Sequence, residues 1–358
     1  MSEVQQFVPW KNLGKSGLKI SNVIVGCMSF GSKSWLPWVE DDEEKIFKIL
    51  NTAYDHGIRT FDTADVYSNG LSEVLLGKFL KKYNIKRDKV VILTKVYFPV
   101  DEDLVDFSVF NKRTPEQELD LQNSQGLTRK HIFDAIEGSI KRLGTYVDVY
   151  QIHRFDPNTP VEETLKALND VVEAGYTRYI GASLMKAVQF AELQFIAEKN
   201  GWHKFISMQS YYNLLNREDE QELNYFADKT GVGLIPYSPL AAGALAKPIP
   251  NQDELTERQK APYGQRTTNT AANIISQTDP SQESERSIIN RVGELAEKKN
   301  STRAAVAIAW SISKGAAPIL GLSSEKRVLE AVEGANLQLT NDEIKYLEEP
   351  YIPRVRRA

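Results

Sequence analysis

The stretch GIRTFDTADVYSNGLSE, residues 57–73, decides how the rest of this chain is interpreted. Residues 59–62 form a short strand-like run that ends on Asp62, and a polar loop containing Tyr67 follows. Residues 72–83 then show apolar side chains at helical spacing. A strand that leads through a polar loop into a helix is one unit of an alternating β/α fold. We therefore expect this unit to repeat, with chemically active residues just past the strands.

The repeat is found along most of the chain, and eight strands are predicted, at residues 22–26, 59–62, 90–95, 147–153, 178–183, 205–210, 233–238 and 317–322. The helices between them are predicted at residues 42–56, 72–83, 129–143, 161–174, 186–200, 219–229, 284–299 and 303–314. Eight strand and helix units predict a (β/α)8 TIM barrel, an α/β fold, as one domain over residues 1–358.

Three segments depart from the repeat. Residues 1–21 include a predicted β-hairpin, and residues 98–126 and 247–280 are predicted loop insertions on the active-site face. A doubly wound sheet is the alternative fold. It is disfavoured because GCMSFG, residues 26–31, does not match the G-x-G-x-x-G pattern expected after a first strand that binds a dinucleotide.

Composition limits the classes of partner. The 44 Lys and Arg against 48 Asp and Glu give a net charge of -4, which leaves no basic excess for nucleic acid or anionic membrane. No apolar run approaches the ~18 residues of a membrane span. The single cysteine, Cys27, and an N-terminus without signal-peptide character lead us to expect a cytoplasmic protein acting on a small molecule.

Four residues carry the expected chemistry. Asp62, Lys95 and His153 each close a predicted strand, and Tyr67 lies in the loop after the second. Since barrel strands end at a common mouth, these side chains are expected to meet there. A charged lysine beside the phenol would lower the pKa of Tyr67 from its reference of ~10, which makes it a workable proton donor.

Each of these residues alone has an ordinary explanation. His153 is equally consistent with a packed strand end, Asp62 with a turn cap, and Lys95 with a side chain that leaves the sheet for solvent. Their joint placement favours a catalytic site. No H-E-x-x-H, C-x-x-C or clustered ligand set suggests a metal, so none is expected.

Three motifs resemble those of a known family. FDTADVYSNGLSE at residues 61–73, ILTKV at 92–96 and VDVYQIHRFD at 147–156 are similar to motifs of the aldo-keto reductases, and the chain resembles their fungal aryl-alcohol dehydrogenase branch from residue 13 to about 337. The resemblance implies NADPH-dependent reduction of aldehydes or ketones, with Tyr67 as the general acid. Asn69, where many members have glycine after the tyrosine, is interpreted as a harmless departure.

The resemblance also implies cofactor contacts. Ser183 and Gln209 would hold the nicotinamide carboxamide, and Tyr237 would stack on the ring, whereas Leu184 stands where the family often has asparagine. Further contacts are expected from Met28, Asp62, Ser238, Leu240, Gly243, Leu245, Gly321, Ser323, Arg327 and Glu330. Ser323 and Arg327 would hold the adenosine 2'-phosphate and Glu330 the adenine amino group, and Arg327 favours NADP over NAD.

Aromatic residues just past the strand ends predict the substrate pocket. They are Trp35, Trp38, Tyr97, Phe98 and Phe155, and they suit aromatic or medium-chain aldehydes. Two other functions are weighed against the reductase. One is an NADP-binding regulatory subunit of the potassium-channel beta-subunit type, and the other is a barrel hydrolase or isomerase that uses Asp62 and His153 without nicotinamide. The physiological substrate, the direction of reaction and the oligomeric state are left open.

Overall fold

The computed structural model describes residues 6–104, 107–249 and 280–353, and it is built around a parallel sheet of eight strands. A separate antiparallel hairpin is formed by β1 (Trp10–Asn12) and β2 (Lys19–Ser21). The parallel strands are β3 (Ile24–Gly26), β4 (Thr60–Asp62), β5 (Val91–Val96), β6 (Val147–Ile152), β7 (Thr177–Ser183), β8 (Phe205–Gln209), β9 (Gly233–Leu234) and β10 (Ile319–Leu320).

The sheet closes on itself. Its strand order is β10-β3-β4-β5-β6-β7-β8-β9, and the Ala317 and Ile319 amides donate to the Leu234 and Pro236 carbonyls, both at 2.9 Å. These bonds join the last two strands, which confirms the predicted (β/α)8 barrel. β9 and β10 are shorter than predicted because Pro236 and Pro318 have no N–H to donate to a continuous ladder.

Helices follow the strands on the outside of the barrel. They are α1 (Glu43–Asp55), α2 (Leu71–Lys82), α3 (Pro115–Asp120), α4 (Arg129–Leu143), α5 (Val161–Glu173), α6 (Ala187–Asn200), α7 (Leu223–Thr230), α8 (Pro280–Lys298), α9 (Arg303–Ser313), α10 (Glu325–Asn336) and α11 (Asn341–Glu348). The predicted helix over residues 219–229 is instead a 3-10 turn, Glu218–Glu220, followed by α7. α3 lies inside the predicted insertion at residues 98–126, whereas most of the one at 247–280 is outside the described residues.

The N-terminal hairpin closes the bottom of the barrel. Leu13 and Ile20 are buried in one cluster with Leu93, Val149 and other residues of the barrel strands. Gly14 has φ +60, and a Cβ there would lie 2.2 Å from the Gly231 carbonyl oxygen, so only glycine permits this approach. The open end is therefore the one where the strands have their carboxyl termini.

Candidate active site

Strand register brings the predicted catalytic residues to this open end. Asp62 is the last residue of β4, Lys95 lies in β5 opposite Gln151 of β6, and His153 follows β6 directly. The His153 amide donates to the Val96 carbonyl at 2.9 Å, which extends the β5 and β6 pairing by one residue. Tyr67 reaches the same place from the loop between β4 and α2. The structure thus brings all four residues together.

The Lys95 ammonium is fully buried and all of its donors are used. Nζ donates to Asp62 Oδ2 at 2.6 Å, to the Thr63 carbonyl at 2.8 Å and to Tyr67 Oη at 3.1 Å. An ammonium has three N–H groups and accepts nothing. The phenol oxygen of Tyr67 is therefore an acceptor in this contact.

Two glutamines orient the Asp62 carboxylate. Gln151 and Gln209 both donate through Nε2 to Asp62 Oδ1 at 3.0 Å, and Gln209 Nε2 also lies 3.2 Å from Gln151 Oε1. Because an ionised carboxylate only accepts hydrogen bonds, the NH2 end of each glutamine amide must face it. The Gln209 amide oxygen is then the atom left to accept from a ligand.

His153 lies against the phenol ring of Tyr67, in surroundings that favour the neutral form of its imidazole. Its ring lies edge-on to Tyr67 at 5.9 Å and to Phe98 at 5.2 Å, measured between ring centroids. Removal from water, together with the charges of Lys95 and Arg154, holds the pKa of His153 well below its usual range. Nδ1 is buried and has no hydrogen-bond partner in the described part of the chain. A neutral imidazole with its proton on Nε2 avoids a buried, unpaired N–H.

Asp62, Tyr67, His153 and Gln209 line a cavity of about 800 Å³, whereas the fully buried Lys95 and Gln151 are not part of its wall. Its wall includes most of the predicted cofactor contacts, namely Met28, Asp62, Ser183, Gln209, Tyr237, Ser238, Leu240, Gly243, Gly321, Ser323, Arg327 and Glu330. Leu245 is not part of the wall. It is fully buried in a separate apolar cluster with residues of α8 and α9, because its side chain points into that core.

Some of the residues predicted for the aromatic pocket line the cavity, and others lie outside its wall. Trp35, Trp38 and Phe98 line the cavity. Val109 and Phe110, from the long loop before α4, also line it, and these two residues were not predicted from the sequence. Tyr97 and Phe155 lie outside the wall, packed against the main core. Tyr97 contacts Phe98 edge-on at 5.2 Å and so supports a residue that does line it.

Two cationic side chains, those of Lys326 and Arg327, lie at the other end of the cavity. Ser324 caps α10 by accepting from the Arg327 amide, and Arg327 Nη1 donates to Ser323 Oγ at 2.5 Å. Within the described part of the chain, neither Lys326 nor Arg327 has a carboxylate within ion-pair distance. Two free cations and a helix N-terminus are the donor set expected for a phosphate.

Leu184 also lines the cavity, in an unusual backbone conformation. Its φ is +42, a left-handed value that is rare for a large side chain. Its amide donates to the Gln209 carbonyl at 3.1 Å, which holds the segment after β7 against β8. The residue that the resemblance marked as a departure therefore places an alkyl group in the cavity wall.

Sequence reasoning missed two side chains that support the site. Gln151 is fully buried in the apolar strand β6, and an amide in such a strand two residues before His153 was a usable signal. Asn69 is more than a small loop residue. Its Nδ2 donates to the Asp101 and Leu104 carbonyls and its Oδ1 accepts from the Asp101 amide at 2.9 Å. Asn69 therefore holds the loop that contains Phe98 against the loop that contains Tyr67.

A buried ion pair lies behind the Tyr67 loop. Glu73 is completely buried and accepts from Arg142 Nε at 2.7 Å and from the Thr94 hydroxyl. Burial and the charge of Glu73 raise the pKa of Asp65 well above its usual range. The Asp65 amide donates to the Lys95 carbonyl at 3.2 Å, so this polar cluster ties the loop to β5.

Comparison with known proteins gives a consistent result. The family model described as "Aldo/keto reductase family" matches residues 22–352. The protein named "Putative aryl-alcohol dehydrogenase AAD16" of Saccharomyces cerevisiae is 52% identical over 346 residues, with 97% of this chain and 98% of that protein covered. The versiconal hemiacetal acetate reductase of Aspergillus parasiticus is 51% identical, with 96% and 97% covered.

No helix in residues 6–104, 107–249 and 280–353 is both long and apolar enough to cross a membrane. The barrel, the four residues at its open end and the match over nearly the whole chain agree with the resemblance seen in the sequence motifs. This chain belongs to the aldo/keto reductase family and is an oxidoreductase.

Proposed function

We propose that this protein uses NADPH to reduce aldehydes or ketones to alcohols, with Tyr67 as the general acid. The observation that carries the proposal is the 3.1 Å contact from Lys95 Nζ to Tyr67 Oη, within an ammonium whose other two donors are also used. A fixed cation beside the phenol oxygen favours the tyrosinate that proton donation leaves behind.

The cavity residues fit a nicotinamide cofactor. Gln209 has both amide N–H groups turned to Asp62 and Gln151, so its oxygen can accept from a carboxamide. Arg327, Lys326 and the start of α10 would hold the 2'-phosphate. When bound, NADPH supplies the hydride that reduces the carbonyl carbon.

The chain's own residues would manage the proton and the orientation of the substrate. Tyr67 would donate its proton to the oxygen of the carbonyl as negative charge develops there. His153 would orient the same oxygen through a neutral N–H. Asp62 would hold the Lys95 side chain in place, while Gln151 and Gln209 hold the carboxylate.

Aromatic and medium-chain aldehydes are the proposed substrate class. Trp35, Trp38, Phe98 and Phe110 give the cavity an aromatic wall. The names of two relatives refer to an aryl alcohol and to a hemiacetal acetate, which agrees with this class. A panel of aldehydes, ketones and alcohols with NADPH and NADH tests it. NADPH binding without turnover would favour a regulatory subunit, and turnover without nicotinamide would favour a hydrolase or isomerase.

Arg327→Ala is expected to weaken binding of NADPH by about 10- to 100-fold and to change binding of NADH far less. The reason is that charge-assisted hydrogen bonds to the 2'-phosphate, which NADH lacks, would be lost. Fluorescence titration with both cofactors measures it. Arg303→Ala, at the start of α9, is the control, since its guanidinium bonds the Ile289 carbonyl. Equal weakening of NADPH and NADH would contradict the phosphate assignment.

His153 is expected to stay neutral as the pH falls from about 8 to about 6, because its folded-state pKa lies well below the ~6.5 of a free histidine. The contribution of this neutral histidine to the free energy of unfolding is complete above pH ~6.5. It decreases below that pH, because the unfolded chain then binds a proton that the folded chain does not. NMR of the histidine ring protons, assigned with His153→Gln, measures the titration. A titration midpoint of His153 near pH ~6.5 would contradict the lowered pKa.

A further inference from the structure

Arg154 occupies the cavity wall next to His153, and the mechanism above does not use it. Its guanidinium carbon lies 4.8 Å from the ring centroid of Phe98 and 5.5 Å from that of Tyr97. Stacking of this kind satisfies the flat face of the cation and leaves the N–H groups at its edge unused. The two rings therefore hold the guanidinium in place without consuming its hydrogen bonds.

Those N–H groups have no partner among the residues that the structure describes. Throughout the described residues Arg154 makes no side-chain hydrogen bond and no ion pair, and its buried Nε is without an acceptor. The acid nearest in sequence, Asp156, is already occupied by the Leu127 and Asn158 amides and the Thr159 hydroxyl. A buried donor left unpaired costs free energy, so an acceptor from outside the chain is the natural complement.

Other partly buried arginines of this protein are paired. Arg87 bonds Asp148 at 2.6 Å, Arg142 bonds Glu73 at 2.7 Å, and Arg217 bonds Glu220 at 2.8 Å. Arg154 is likewise partly buried, and it lines a cavity instead of pairing with a carboxylate of the described residues. The contrast indicates that the missing partner belongs to the ligand.

We propose that Arg154 recognises a carboxylate on the substrate, so that the enzyme prefers aromatic or short apolar carbonyl compounds that carry an acidic group. This inference rests on the proposed reductase function. Phe98 contacts both His153 and Arg154, so a ring lying on Phe98 with its carbonyl at His153 has the guanidinium within reach of a substituent. Forked N–H groups match the two oxygens of a carboxylate.

The test compares kcat/KM for 4-formylbenzoate and its methyl ester, with NADPH, in the native protein and in Arg154→Gln. We expect the native protein to prefer the carboxylate, and the substitution to lower its kcat/KM by about 10- to 100-fold, mainly through KM. The ester should change by less than about threefold. Arg154→Lys keeps the positive charge but loses the forked pair of N–H groups, so its kcat/KM for 4-formylbenzoate should lie between those of the native protein and Arg154→Gln. Arg59→Gln is the matched control, because Arg59 also stacks on an aromatic ring, that of Tyr54 at 4.4 Å, but lies outside the cavity.

Equal losses with both substrates would assign Arg154 a structural role in supporting Phe98 and would overturn the proposal. So would a native protein with no preference for the acid. If neither aldehyde is reduced, the reductase function itself fails, and calorimetric titration with terephthalate then tests the carboxylate site separately. Binding that Arg154→Gln abolishes would support the site, and binding that it leaves unchanged would overturn it.

Discussion

Tyr67→Phe is expected to lower kcat for aldehyde reduction by about 10²- to 10⁴-fold while NADPH binds as before. The range is the usual contribution of a positioned general acid. The substitution removes only the hydroxyl, which is the group that Lys95 contacts at 3.1 Å, and keeps the ring that packs against Trp35 and His153. Steady-state kinetics and a fluorescence titration of NADPH measure the two quantities.

Tyr97→Phe is the control for the loss of a phenol. Tyr97 lies outside the cavity wall, and phenylalanine keeps its packing on Phe98, so turnover should be nearly native. If Tyr67→Phe retained native turnover, the assignment of the acid would be wrong. If it weakened NADPH binding as much as it lowered kcat, Tyr67 would be a binding residue instead.

Lys95→Met is expected to cost about 3–5 kcal/mol of unfolding free energy as well as most of the activity. The ammonium is fully buried and paired with Asp62, whose side chain is only 3% exposed. Removing the cation leaves an uncompensated carboxylate inside the barrel, which is strongly unfavourable. Urea unfolding followed by circular dichroism measures the loss.

The double variant Lys95→Met with Asp62→Asn separates stability from catalysis. A neutral asparagine can still accept from Gln151 and Gln209, so much of the lost stability should return. Activity should not return, because no cation then stands beside the phenol oxygen of Tyr67. Recovery of activity in the double variant would show that Lys95 acts only as a structural partner of Asp62.

The sequence placed the polar residues at the strand ends well, and it placed the aromatic residues just past those ends less well. Asp62, Lys95 and His153 meet because parallel strands end at one mouth, a rule that needs no knowledge of packing. Tyr97 and Phe155 also lie just past strand ends, yet they are half-buried against the core and do not line the cavity, and Leu245 is buried in a second apolar cluster. Neighbouring residues can face opposite ways, and a short loop motif does not record which one faces the cavity.

Supporting contacts were the hardest to predict. Asn69 and Gln151 act through partners 32 and 89 residues away in the chain, namely Asp101 and Asp62. Their roles depend on where two loops or two strands meet in space. The unpaired edge of Arg154 likewise depends on the fold, because Asp156, the acid nearest in sequence, bonds Leu127, Asn158 and Thr159 instead.

The amino-acid sequence by itself determined the family, the alternation of strands and helices, and the identity of the four residues at the barrel mouth, because local patterns and motifs carry that information. Tertiary structure alone decided how the three N–H groups of Lys95 are shared, which aromatic rings face the cavity, and that Arg154 has no hydrogen-bond partner among the residues that the structure describes. These properties arise from distances between segments far apart in the chain, and such distances are set by strand register and packing.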